Sequence, residues 1–125
     1  MTVAYIFKTS MESTFQLASM ILPQLETNSH KVKVAGIFFF DDNIFCLQKN
    51  NPVGKRLAKI AKDNNILLMV CDQCAVRREL AEGTFEQCGS GDVKAKGLVD
   101  GVAAGCFPQL YEALGASPPD QVITL

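Results

Sequence analysis

The sequence predicts an α/β domain in which a mostly parallel sheet of five strands carries helices on both faces. Short apolar runs of strand length alternate along the chain with longer segments whose apolar residues recur at helical spacing. Such strand–helix–strand units build parallel sheets that are covered by helices. The length of 125 residues, with 48% apolar and 20% charged residues, fits one globular domain over residues 1–125.

The first half of the chain predicts two strands and two helices. Val3–Phe7 is an apolar run typical of a first strand, and Pro23 must end or kink the helix that follows it. Val32–Phe40 is apolar on both faces over its second half, as expected for a central strand covered on both sides. Asn51 and Pro52 predict the start of the next helix, because asparagine caps helices and proline fits the first helical position.

The second half repeats the alternation. Ile66–Val70 predicts a third strand, and Asp72 caps a helix that we expect to run to about Glu82, where Gly83 is placed to end it. Gly89–Gly97 is expected to be a loop that contains a short strand near Val93–Ala95. A last helix is expected from Pro108 to Gly115, and a terminal strand over Val122–Leu125. Chemistry in such sheets gathers beyond the carboxyl ends of the strands.

Composition and charge exclude several functions. Twelve basic against thirteen acidic residues give a net charge of -1, without the basic excess of proteins that coat DNA or RNA. The longest apolar runs, Val34–Phe40 and Ile66–Cys71, are far below the roughly 18–20 residues that span a bilayer. The first ten residues are typical of a strand and lack the pattern of an export signal. We therefore expect a cytoplasmic protein with no nucleic-acid or membrane partner.

The sharpest chemical feature is the CDQC segment Cys71–Cys74, at the junction of the third strand and the next helix. The thiolate is the reactive form of cysteine, and the pKa of a thiol falls at a helix N-terminus. Nearby arginines would favour the thiolate, whereas the aspartate inside the segment would oppose it. The expected site comprises two catalytic thiols and three supporting side chains: Cys71 and Cys74, with Asp72, Arg77 and Arg78.

A CxxC segment can have several functions. It can also be purely structural, with both cysteines acting as small apolar residues at the rim of the core. A zinc site needs two further ligands, and Cys88, Cys106 and the solvated-loop residue His30 are isolated in the sequence. A dithiol oxidoreductase would cycle Cys71 and Cys74 through a disulfide. A sulfur carrier would hold a persulfide on one thiolate. A non-catalytic module would bind a small anion or nucleotide in the strand-end crevice. No metal or organic cofactor is expected.

Other candidate residues give weaker signals. Asp41 and Asp42 follow the second strand and could gate the site or hold a metal, although adjacent carboxylates are more often a solvated turn. Cys46 lies in the same loop and could face the site. Cys106 is expected in the core because small apolar residues surround it, and Cys88 lies in a polar loop that permits no interpretation. The usual glycine-rich nucleotide cradles are absent from the sequence.

Three parts of the sequence together resemble a known family. The first is the second strand with its aromatic end, Val34–Asp42. The second is a strand-end cysteine followed by paired arginines, Leu68–Cys71 and Ala75–Arg78. The third is the last helix and strand, Gln109–Leu114 and Gln121–Leu125. In order and spacing they resemble the DsrE/DsrF-like family, which includes the TusD-type sulfur relay proteins. The resemblance covers most of the chain.

The resemblance implies a flavodoxin-like fold, homo-oligomers such as trimers or hexamers, and a persulfide carried on Cys71 between donor and acceptor proteins. Such a carrier would act as a sulfurtransferase without a cofactor. The sequence departs from the family pattern at two positions. Cys74 stands where a small residue such as alanine is usual, and Glu79 stands where a glycine often follows the arginines. Cys74 is therefore expected to be an auxiliary thiol, or one that resolves the persulfide into a disulfide.

Overall fold

The computed structural model describes all 125 residues and contains one main sheet of five parallel strands. Seven strands occur along the chain: β1 (Thr2–Phe7), β2 (Lys33–Phe39), β3 (Leu67–Cys71), β4 (Ala81–Glu82), β5 (Lys94–Ala95), β6 (Val102–Gly105) and β7 (Gln121–Thr124). The main sheet has the order β6-β3-β2-β1-β7, and every neighbouring pair is parallel. The expected α/β fold class is confirmed.

The short strand expected near Val93–Ala95 lies outside the main sheet. β5 pairs with β4 in a separate antiparallel ribbon, and the fifth strand of the main sheet is β6. β6 was not predicted, because its four residues, VAAG, include two alanines and a glycine and carry little strand signal.

Four α-helices connect the strands: α1 (Leu22–Glu26), α2 (Pro52–Asn64), α3 (Asp72–Arg77) and α4 (Phe107–Ala116). A π-helical stretch, Ser13–Ile21, leads directly into α1, and Asp41–Leu47 forms a 3₁₀ helix after β2. The change from π to α winding falls immediately before Pro23, whose missing N–H removes one helical hydrogen bond. None of the helices is both long and apolar enough to cross a bilayer.

α2 begins where the sequence predicts it. The side chain of Asn51 accepts a hydrogen bond from the N–H of Val53 at 2.9 Å, and Pro52 occupies the first helical position. The helix ends at Asn65, which adopts the left-handed conformation that asparagine tolerates. Leu57 and Ala61 are buried, so one face of α2 packs on the sheet.

α3 is shorter than the sequence predicts, ending at Arg77 rather than near Glu82. Glu79 adopts a left-handed conformation with φ 57°, and the N–H of Leu80 donates to the carbonyl of Ala75 at 2.8 Å. The N–H of Glu79 donates to the carbonyl of Val76, which completes a Schellman motif. The expected stop at Gly83 is therefore wrong, because the helix is closed four residues earlier by its own backbone.

The two faces of the sheet are covered unequally. A cluster of 23 buried apolar residues, which includes Phe7, Phe39 and Leu57, lies between one face and α1, α2 and α3. On the other face Leu110 of α4 belongs to a cluster of only four buried residues, which also includes Phe38 and Met69. Helices thus lie on both faces, but α4 alone covers the second one.

Candidate functional site

Three neighbouring strands, β2, β3 and β6, end along one edge of the sheet. The register pairs Cys71, the last residue of β3, with Gly105, the last residue of β6. Asp41 follows β2 and Cys106 follows β6. Because carboxyl ends of parallel strands meet at a common edge, these residues and the start of α3 lie beside one another.

Cys71 and Cys74 form a half-buried thiol pair at this edge. The Sγ atom of Cys71 accepts a hydrogen bond from the N–H of Cys74 at 3.3 Å, so Cys71 caps the first turn of α3. The expectation that Asp72 caps this helix is therefore wrong, because Asp72 is the first residue inside it. The Sγ atom of Cys74 accepts a hydrogen bond from the N–H of Asp41 at 3.1 Å. The CxxC segment is thus held both by its own helix turn and by the loop after β2.

The two thiols shift each other's pKa in opposite directions. A hydrogen bond from the Cys71 side chain lowers the pKa of Cys74 to about 6, and the Asp41 N–H and the Arg78 charge act in the same direction against burial. The same hydrogen bond, together with burial, raises the pKa of Cys71. The pair therefore gives up its first proton more readily than an ordinary thiol does, and it holds the second proton more tightly.

Arg78 connects the thiol pair to the acidic loop. Its guanidinium forms ion pairs with Asp41 and Asp42, with Nε donating to Asp42 at 2.9 Å. Its Nη1 donates to the carbonyl oxygen of Cys74 at 3.1 Å. The side chain is only 17% exposed, so its charge is poorly screened. Arg78 thus forms ion pairs with both carboxylates of Asp41 and Asp42. From the sequence, these residues were expected to gate the site, bind a metal or form a solvated turn.

Arg77 lies apart from the thiols. Its guanidinium stacks over the ring of Phe85 at 5.0 Å from the centroid. Successive residues of an α-helix point about 100° apart, so Arg77, the last residue of α3, and Arg78, which follows it, leave the chain in different directions. The structure brings Arg78 to the thiol pair and directs Arg77 towards the segment after β4.

Asp72 is almost completely buried, with 1% of its surface exposed. Its Oδ1 accepts from the N–H of Gln73 at 2.7 Å, and its Oδ2 accepts from the N–H of Gly89 at 2.9 Å. Gln109 holds the same loop from the other side, since its Nε2 donates to the Gly89 carbonyl and its Oε1 accepts from the Cys106 N–H, both at 2.8 Å. Asp72 and Gln109 therefore fix the loop beside the thiol pair.

A second pair of thiols lies in this fixed region. The Sγ atoms of Cys88 and Cys106 are 3.6 Å apart, with Cys88 exposed and Cys106 half-buried. The expectation that Cys106 lies in the core is wrong, because it stands at the start of α4 rather than inside the sheet. Sequence reasoning missed the pair because 18 residues separate the two cysteines and no spacing rule joins them.

Two other candidate residues lie away from the site. Cys46 is buried in the main core, where burial raises its pKa to about 12, so the expectation that it could face the site is wrong. His30 is partly buried rather than fully solvated. Its Nε2 is hydrogen-bonded to the Tyr5 hydroxyl and its Nδ1 to Gln24, both at 2.8 Å. Burial lowers the pKa of His30.

A cavity of about 730 Å³ lies at the opposite end of the molecule. Met1, Lys33 and Asn65, near the amino ends of the strands, are among the residues that line it. It contains none of the five cysteines, so it plays no part in the thiol chemistry.

Fold and site together define an α/β domain with a thiol pair at the carboxyl end of a central strand. The sequence profile of the DsrE/DsrF-like family matches residues 1–116, so the chain belongs to the DsrE/DsrF-like family. The resemblance noted in the sequence is confirmed.

The fold is also similar to a solved structure, the crystal structure of the YchN protein from E. coli. The match has a TM-score of 0.62 and 18% sequence identity, and it covers 99% of this chain and 97% of that chain. At this identity the match supports the fold alone. No curated protein matches the sequence.

Proposed function

We propose that the protein is a sulfur carrier in which Cys71 takes a sulfur atom from a donor persulfide and passes it to a partner thiol. The observation that carries this proposal is the half-buried Cys71–Cys74 pair, in which the pKa of Cys74 is lowered to about 6. Membership of the DsrE/DsrF-like family, in which sulfur relay is common, supports the same function. Fold membership alone does not decide it.

Loading requires a nucleophile and an acceptor for its proton. The sulfur of Cys71 attacks the outer sulfur of a donor persulfide, so that an S–S bond forms on Cys71 and the S–S bond of the donor breaks. The donor leaves as a thiolate, and the Cys74 thiolate accepts the proton of Cys71. An acceptor thiolate then attacks the outer sulfur on Cys71 and reverses these steps, with no net oxidation and no cofactor.

A dithiol–disulfide redox protein is the second candidate, because Cys71 and Cys74 lie within one helical turn of each other and each shifts the pKa of the other. In that case the Cys74 thiolate attacks the Cys71 sulfur of the persulfide. A Cys71–Cys74 disulfide forms, and hydrosulfide leaves with the outer sulfur. The two candidates differ in whether the bound sulfur remains available to a partner thiol.

Intact-mass measurement after incubation of the reduced protein with glutathione persulfide tests the proposal. We expect one transferable sulfur on the wild type, and one that loads more slowly on Cys74→Ala because the proton acceptor is missing. We expect none in the CxxC segment of Cys71→Ser. Cys88→Ser is the matched control at the second thiol pair and should load normally. An adduct that survives Cys71→Ser but disappears in Cys74→Ser would reverse the two roles. Prompt formation of an internal disulfide, with release of hydrosulfide, would favour the redox protein.

We also propose that the protein forms homo-oligomers through the face that α4 covers. The rings of Phe40, Phe107 and Tyr111 stack in a row, with centroids 5.9 Å and 6.1 Å apart. Phe107 is 51% and Tyr111 is 66% exposed. An exposed aromatic row beside a thinly covered sheet face suits a contact with a second copy of the chain, since aromatic residues dominate buried contacts between proteins.

Light scattering coupled to gel filtration tests the assembly. We expect a trimer or hexamer for the wild type and smaller species for Tyr111→Glu. Phe15→Glu is the control, because Phe15 is similarly exposed, at 60%, but lies on the π-helical stretch outside the aromatic row. A monomeric wild type, or equal dissociation by both variants, would contradict the proposal.

We place this activity in the cytoplasm, with protein donors and acceptors of sulfur. All five cysteines are free thiols, which suits a reducing compartment. Recovery of the protein in the cytosolic fraction of lysed cells, apart from membranes and nucleic acid, is the expected result.

A further inference from the structure

We propose that Asp72, Cys88 and Cys106 form a binding site for a divalent metal ion of the zinc class, with the fourth coordination position open. The three side chains come from different segments of the chain and meet beside the CxxC segment. The site is separate from the sulfur-carrying role of Cys71, and it uses none of the groups that would accept or release sulfur.

The distances between the three side chains suit a metal ion. One ligand atom from each of the three residues lies within 4.8 Å of the others, and the two sulfur atoms are 3.6 Å apart. Tetrahedral zinc with bonds of about 2.3 Å holds two thiolate sulfurs about 3.8 Å apart. A disulfide would instead require the sulfurs to approach to about 2.05 Å. The observed separation is therefore much closer to that of two metal ligands.

The buried carboxylate is the second observation that indicates a cation. Asp72 is 1% exposed, and no arginine, lysine or histidine pairs with it. Burial of a carboxylate costs free energy unless an opposite charge compensates it. Two N–H groups occupy one lone pair on each oxygen, which leaves further acceptor positions free. A metal ion at this position would supply the missing positive charge.

The ligands are held in place before any metal binds. The Gly89 N–H orients the carboxylate of Asp72, and Gln109 bridges the Gly89 carbonyl and the Cys106 N–H. These contacts join the segment that carries Cys88 to the segment that carries Cys106. Hydrogen bonds around metal ligands commonly orient them in this way.

The donor set defines the class of metal. Two thiolates and one carboxylate suit zinc and chemically similar ions better than magnesium or calcium, which prefer oxygen ligands alone. Three protein ligands leave the fourth position for water or another small donor, as in zinc sites that bind a substrate. Binding releases the protons of the two thiols to solvent, so affinity should increase with pH.

Metal analysis of the reduced protein tests the site. After dialysis against Zn²⁺ and gel filtration we expect one zinc per chain, and with Co²⁺ the charge-transfer absorption of a cobalt–thiolate bond. Cys88→Ser and Asp72→Asn should lose both signals. The exposed position of Cys88 makes misfolding of the first variant a minor concern, and circular dichroism checks both. The double variant Cys71→Ser/Cys74→Ser is the matched control and should retain metal and absorption.

Two results would overturn the inference. The first is a reduced, folded wild type that binds no stoichiometric zinc. The second is metal that is retained by Cys88→Ser but lost from the Cys71→Ser/Cys74→Ser control, which would move the site to the CxxC pair. Sulfur loading of Cys71 is measured separately, so failure of the metal site leaves the proposed carrier function intact, and the reverse also holds.

Discussion

The backbone N–H of Asp41 donates a hydrogen bond to the Sγ atom of Cys74 at 3.1 Å, across 33 residues of sequence. Asp41 adopts a left-handed conformation, with φ 56°, at the point where the chain turns from β2 into the 3₁₀ helix. The parallel pairing of β2 with β3 brings this turn to the start of α3. The reactivity of Cys74 therefore depends on a neighbouring strand end as well as on its own helix.

The ionisation of Cys74 should depend on Cys71. Because a hydrogen bond from Cys71 is the largest cause of the lowered pKa, alkylation of wild-type Cys74 should increase with pH through a midpoint of about 6. Cys71→Ala should move that midpoint upward, towards the ordinary thiol value of about 8.5. The measurement is the rate of iodoacetamide labelling of the Cys74 peptide. An unchanged midpoint in Cys71→Ala would refute the coupling, and Cys88→Ala serves as the control.

Of the two adjacent arginines, only Arg78 should influence the thiols. Arg78→Gln removes a positive charge that stabilises the Cys74 thiolate and leaves Asp41 and Asp42 without their partner. We expect the Cys74 pKa to increase and labelling near pH 6, where the wild-type thiol is about half ionised, to slow by several-fold. Arg77→Gln should leave labelling nearly unchanged, since Arg77 stacks on Phe85 instead. Similar effects of the two substitutions would contradict this distinction.

Glu79→Gly should stabilise the fold. Glu79 occupies the left-handed position of the Schellman motif that ends α3, where a Cβ atom is unfavourable and glycine is not. After allowance for the greater freedom of glycine in the unfolded chain, the free energy of unfolding should increase by about 0.5–1 kcal/mol. Urea denaturation measures the change. Glu79→Ala is the control, because alanine keeps the Cβ atom and should bring no such gain.

Gly105→Ala should destabilise the fold. A Cβ atom at Gly105 would lie 2.7 Å from the Cβ atom of Gln109 and 3.3 Å from the sulfur of Met69, so the start of α4 would have to shift. We expect a loss of about 1–3 kcal/mol in the free energy of unfolding. Gly115→Ala is the matched control, since a Cβ atom there meets nothing within 4 Å and alanine favours the helix. Equal losses in thermal denaturation would argue against the steric cause.

Local sequence signals were sufficient for most of the fold. Asn51 and Pro52 mark the start of α2 because a cap and a proline act within a single helical turn. The apolar run that forms β2 also predicted its position correctly. A strand buried on both faces needs apolar residues at consecutive positions, and this pattern is visible within a short stretch of sequence. The end of α3 was mispredicted because Glu79, a residue that usually avoids the left-handed region, adopts it here.

The sequence by itself determined the α/β architecture and the position of the CxxC segment at a strand end, because hydrophobic periodicity and capping act over short stretches of chain. Only the tertiary structure decided which side chains surround those thiols. It directed Arg78 towards Cys74 and Arg77 away from it, buried Cys46, and brought Cys88 to Cys106 beside Asp72. These contacts depend on strand order and loop closure, which join distant residues and leave no periodic pattern in the sequence.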